Sequence, residues 1–189
     1  MRRPAFADWL FRWQNPWDGL TLQLDRRRIY IIPSRAGLTY ALTLLVMLLG
    51  AINYGLSLGH LLVFLLAGLG LVGMVHTYRN LAGLQLRADA AEPVFAGDQA
   101  HFPIQLLNPD RRSRAGLLLR VGTAPPLRAD LDPGGEARIA LPLAAPRRGW
   151  LRLPRLRLES TYPLGLFTAW SYFQPPQHCL IYPQPHFTP

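Results

Sequence analysis

From Ala36 to Tyr78 the chain carries no Asp, Glu, Lys or Arg. The run divides at Asn53-Tyr54-Gly55, with Ser57 and Gly59 close behind. Each half is long enough to cross a bilayer core, which takes about 20 apolar residues as a helix. The pattern predicts a transmembrane helical hairpin over 35–78, with spans at about 35–54 and 58–77. The competing reading is a buried helical pair in a soluble protein. It fits less well, because soluble core helices rarely run this far without a polar face. Pro33 blocks helix upstream and Ser34 is a natural N-cap. Ala67, Gly70 and Gly73 recur every three residues in the second span, with Ala41, Gly50 and Ala51 as facing candidates on the first. Small residues let helices approach closely, either within the hairpin or in a dimer. His60 and His76 fall at the two membrane surfaces.

After Leu81 the pattern changes to short alternating runs broken by Gly and Pro. The runs are 84–87, 100–107, 116–121, 137–143, 151–158, 166–173 and 179–182. Turn signals separate them, among them Asn108-Pro-Asp110 and Asp132-Pro-Gly-Gly135. Short strands with turns at this spacing predict an Ig-like antiparallel β-sandwich over 81–186. Leu151–Leu158 reads as one strand with leucine on one face and mostly arginine on the other. That arginine face meets solvent or lipid headgroups, or grips an acidic partner. Pro142 and Pro154 point to edge strands or bulges. The fold class is thus a membrane-anchored α plus all-β chain.

Residues 1–34 form a basic, aromatic head. Phe6, Trp9, Leu10 and Trp13 share one side at helical spacing, which suits a short helix in the membrane interface. An aromatic tail without structure is the other reading. Arginine clusters at Arg26, Arg27, Arg28 and Arg35, before the first span, and Arg79 follows the second, whereas the turn between the spans has none. The positive-inside rule then places both termini in the cytoplasm. Trp9, Trp13, Arg26, Arg27, Arg28, Arg35 and Arg79 are the membrane-interface candidates.

The formal net charge is +9, and the 20 basic residues are all arginine. Next to a membrane anchor, anionic headgroups are the simplest partner for this charge. No basic helix or aromatic-interleaved strand motif points to nucleic acid. The single cysteine, Cys179, allows neither an internal disulfide nor a multi-cysteine metal site, and reads as a small core residue. The acidic residues sit mostly at turns, where Asp has an ordinary structural role. No metal-ligand spacing, nucleophile elbow or phosphate loop occurs in the sequence. The reading is therefore not an enzyme, with no cofactor.

Several stretches together resemble a known family. They are Pro33-Ser-Arg-Ala-Gly-Leu38, Gly50-Ala-Ile-Asn-Tyr-Gly-Leu-Ser-Leu-Gly59, His76-Thr-Tyr-Arg-Asn-Leu-Ala-Gly-Leu84, Glu92-Pro-Val-Phe-Ala-Gly97, Arg148-Gly-Trp-Leu-Arg-Leu-Pro154 and Tyr162-Pro-Leu-Gly-Leu-Phe-Thr-Ala-Trp170. In order and spacing they are similar to the N-terminal region of bacterial proteins of the "domain of unknown function 58" family. The resemblance covers nearly all of 29–185. It implies an inner-membrane protein that partners a MoxR-type AAA+ ATPase, in the company of von Willebrand A-like proteins. Family members usually continue beyond a stretch like Tyr182-Pro-Gln-Pro185, so a shortened anchor lacking a functional C-terminal segment is one alternative. A cell-envelope assembly or stress component with the sandwich outside the membrane is the other. The expected docking surface is Arg148, Arg152, Arg155 and Arg157 with the corner Tyr162, Leu164 and Phe167.

Overall fold

The structure, a computed structural model, describes residues 21–24, 28–122 and 124–184. The N-terminal aromatic segment with Trp9 and Trp13, and also Arg26 and Arg27, lie outside the described residues. Strands β1 (Thr21–Gln23) and β2 (Tyr30–Pro33) precede helices α1 (Arg35–Asn53) and α2 (Ser57–Leu81). Ten further strands follow: β3 (Gln85–Ala88), β4 (Val94–Phe95), β5 (Gln99–Leu107), β6 (Arg114–Val121), β7 (Leu127–Leu131), β8 (Glu136–Ala144), β9 (Gly149–Arg152), β10 (Leu156–Ser160), β11 (Phe167–Phe173) and β12 (His178–Tyr182).

Both helices are long and apolar enough to cross a membrane. Ser34 caps α1: its hydroxyl accepts from the Gly37 N–H at 3.0 Å and donates to the Gly165 carbonyl at 2.5 Å. Glycine at 55, with φ of 60°, closes the turn between the helices in a conformation that costs a side-chain-bearing residue energy. The 25 residues of α2 make a rod of about 38 Å. That exceeds a hydrocarbon core of about 30 Å, so α2 is longer than a crossing requires. Only 11% and 17% of the most apolar windows of α1 and α2 are buried. Leu42, Leu45, Val46 and Leu49 on α1 and Leu61, Phe64, Leu65 and Leu69 on α2 are exposed. A core helix of a soluble protein would cover such a surface.

The small residues act differently from the sequence expectation. Ala51 is buried and meets Gly59 across the turn, as a hairpin contact should. Ala41 is exposed and Gly50 has nothing within 4 Å of a Cβ position. Gly70 faces the Tyr40 ring instead, and the Tyr40 hydroxyl donates to the Leu66 carbonyl at 2.6 Å. Gly73 receives Leu164 from the β domain, not α1.

The strands form three sheets, with orders β1-β3-β5-β8, β2-β11-β10-β6-β7 and β4-β12-β9. All pairings are antiparallel except β4 with β12. One buried apolar cluster draws on all three sheets, with Phe102, Ile104 and Leu106 from the first, Leu119, Leu156 and Leu158 from the second, and Cys179 from the third. Cys179 is thus the core residue its sequence context suggested. β8 is an edge strand and carries Pro142, as expected of proline in a sheet.

Two departures from the sequence reading matter. Part of the 1–34 head belongs to the sheets, since β1 pairs with β3 and β2 with β11. The run 151–158 is not one strand. β9 and β10 lie in different sheets, separated by Leu153-Pro154-Arg155. Leu153 and Leu156 are both fully buried, three positions apart. A strand repeats every two residues, so the leucine phase slips at Pro154, where no N–H is present to continue a ladder.

Candidate functional site

The helix pair joins the sheets through a polar knot at the C-terminal end of α2. The last carbonyls of a helix have no partner inside it. Here the Arg114 guanidinium supplies them. Its Nη1 donates to the carbonyls of Asn80 at 2.8 Å and Arg79 at 3.4 Å. Nη2 donates to the Ala82 carbonyl and to Asp110 Oδ2, at 2.8 and 2.7 Å. Nε donates to Asn108 Oδ1 at 2.7 Å. An arginine has five N–H donors, and each finds an acceptor. Burial lowers the Arg114 pKa from its usual value, and Asp110 opposes that shift through its charge and hydrogen bond. Asn80, also buried, donates to the Ala115 carbonyl and to Ser160 Oγ. A second tie holds α1. Ser34 N–H donates to the Leu166 carbonyl at 2.8 Å, and the same carbonyl presses against Gly37 so closely that a Cβ there would collide with it. Both helices are therefore tied to the sheets, α2 through Arg114 and Asn80 and α1 through Ser34 and Gly37.

The expected docking residues do not form one surface. Tyr162 and Leu164, at 47% and 46% exposed, belong to the corner that packs against α2, with Leu164 against Gly73. Phe167 opens β11 and pairs with Pro33. Arg155 lies over the Tyr172 ring at 4.0 Å, and Arg157 over Trp170 at 5.3 Å. Arg157 also pairs with Glu159 at 2.9 Å, while Arg120 reaches Glu159 at 3.5 Å. Tyr30 stacks on Trp170. Arg155 and Arg157 are thus engaged by rings of β11, and Arg157 shares Glu159 with Arg120 of β6.

Arg148 and Arg152 are different. Both are exposed, and neither side chain has a partner among the described residues. Between them Trp150 is 72% exposed, on β9 at the edge of its sheet. Residues 150 and 152 share a face by the strand period. Of the membrane-interface candidates, Arg35 opens α1 and is exposed, Arg79 is exposed in the last turn of α2, and Arg28 is half-buried.

The sequence reading missed Arg114. Arg114 closes the polar run Asp110-Arg111-Arg112-Ser113 and so reads as a surface position, and the ladder is irregular between Arg114 and Leu117, so no alternation marks it as internal. Trp150 was within reach, because a tryptophan between two arginines in a short strand is an unusual surface. Comparison with protein-family models, curated proteins and solved structures found no match.

Proposed function

We propose that this chain is a non-enzymatic, membrane-anchored interaction protein. The α1–α2 hairpin spans the bacterial inner membrane with both chain termini in the cytoplasm. The sheets form an Ig-like sandwich held at the membrane surface, where it meets a soluble partner. The observation that carries the reading is the pairing of two uncovered apolar helices with a β domain knotted to their base by Arg114 and Ser34. A flexible tether would only localise the domain, whereas this junction also orients it. The resemblance to the "domain of unknown function 58" family supplies the partner class, a MoxR-type AAA+ ATPase or a von Willebrand A-like protein. The docking surface is Arg148, Trp150 and Arg152, since tryptophan and arginine dominate interface hot spots and these cations are uncommitted.

Affinity capture of the tagged chain from mild detergent, with and without ATP, tests this reading. Recovery of an AAA+ ATPase, lost in the double variant Arg148→Glu, Arg152→Glu, is the expected result. Recovery unchanged by the double reversal removes β9 from the proposal, and recovery of no ATPase or von Willebrand A-like protein removes the partner class. Orientation is tested in a Cys179→Ala background, because buried Cys179 is a poor probe. A cysteine at Tyr54, which is 76% exposed in the inter-helix turn, should react with a membrane-impermeant maleimide in intact cells. One at Arg148 should not. The reverse pattern would place the β domain outside.

A further inference from the structure

A small cleft opens beside the knot, with a volume of about 70 Å³. His76, Arg79, Arg112 and Tyr162 line it, above Asp110 and Arg114. Asp110 does not set its charge, because its carboxylate is paired with Arg114 at 2.7 Å. Arg114 has no donor left. Arg79 and Arg112 do: neither guanidinium makes a hydrogen bond or ion pair among the described residues. Their backbones, however, are pinned. The Arg79 carbonyl accepts from Arg114 and the Arg112 carbonyl accepts from Asn108 Nδ2. The result is two arginines brought to one cleft from different elements and left without an anion.

The helix face above the cleft identifies the anion's chemistry. Val72, Val75, His76 and Arg79 follow the i, i+3, i+4, i+7 spacing of one helical stripe. Val72 and Val75 are 52% and 53% exposed. One stripe thus runs from uncovered apolar surface to uncommitted cation within two turns. A free phosphate matches only its lower half. An amphiphile with a singly charged phosphodiester matches both.

We infer that the cleft holds the phosphate of an anionic phospholipid from the leaflet in which α2 ends, with the acyl chains lying along Val72 and Val75. Arg79 and Arg112 hold the phosphate oxygens, and His76 and Tyr162 supply polar contacts at the rim. The inference rests on the membrane-spanning reading above. It adds a lipid preference and a registration point that fixes the depth of the β domain at the surface.

The test uses the full chain purified in neutral detergent. Native mass spectrometry measures retention of added phosphatidylglycerol against phosphatidylcholine. Phosphatidylglycerol should be retained preferentially. The Arg79→Gln, Arg112→Gln double variant should weaken it about fivefold for each arginine removed. The control pair Arg128→Gln, Arg138→Gln removes the same charge from β7 and β8 and should change nothing. Equal loss in the control, or equal retention of phosphatidylcholine, overturns the site. Displacement of the lipid by inorganic phosphate at matched concentration assigns the cleft to free phosphate and overturns the lipid source. Alkaline carbonate extraction of wild-type membranes is run alongside. Release of the chain there defeats the spanning reading itself, whatever the lipid result.

Discussion

Replacing Arg114 tests the junction most directly. Arg114→Ala leaves the carbonyls of Asn80 and Ala82, the Asn108 side chain and Asp110 without their shared donor. The bonds to Asn108 and Asn80 are buried. Asn108 Oδ1 keeps the Asp110 N–H at 3.3 Å, but each bond lost is to a charged group and is worth about 1.5–3 kcal/mol, so these two alone give about 3–6 kcal/mol. The other acceptors are partly exposed and water can replace the donor there. Asp110, the other member of the ion pair, is 56% exposed and is left in water, so the loss stays at about 3–6 kcal/mol. That is a large share of a domain's usual stability of about 5–15 kcal/mol. For a chain of this length each kcal/mol moves the unfolding midpoint by about 2–4 °C, giving a fall of about 6–24 °C for a loss of about 3–6 kcal/mol. Thermal unfolding of the detergent-purified chain, followed by tryptophan fluorescence, reads this directly. Arg114→Lys keeps the charge but has three donors in place of five, so it should fall between wild type and alanine. A midpoint for Arg114→Ala within 2 °C of wild type would refute the argument, and Arg114 would then be a spectator.

Two further expectations follow from packing and burial. Gly37→Ala drives a methyl into the Leu166 carbonyl, and such overpacking costs about 1–3 kcal/mol. Gly73→Ala meets only the far end of the Leu164 side chain, and the gain in helix propensity of about 1 kcal/mol should leave it near neutral; a midpoint as low as that of Gly37→Ala would contradict the yielding contact assigned to Leu164. Burial pushes the Cys179 thiol pKa up, against a hydrogen bond from the Val94 backbone. The thiol should therefore resist alkylation in the folded chain and react on denaturation. Because the folded pKa is the higher one, its stabilising contribution is complete below the unfolded value of about 8.5 and is lost as pH rises through the folded value. Cys179→Ala should flatten that alkaline loss in a pH series of unfolding midpoints, and an unchanged slope would assign it to other groups.

The sequence by itself determined the two helices, their turn and most of the strands. Those rest on local rules: a charge-free run needs an apolar environment, and alternation with glycine and proline breaks needs short strands. Ser34 as cap and Cys179 as core were legible for the same reason. The tertiary structure decided everything that depends on what a side chain meets. It sent Arg155 and Arg157 onto aromatic rings, left Arg148 and Arg152 free, split 151–158 between two sheets and drew β1 and β2 into the β domain. It gave Gly73 to Leu164 in place of α1. Above all it buried Arg114 beneath the end of α2. An arginine's charge is visible in the sequence, but whether that charge faces water, a ring or the last carbonyls of a helix is set by residues distant along the chain, which only the folded arrangement brings together.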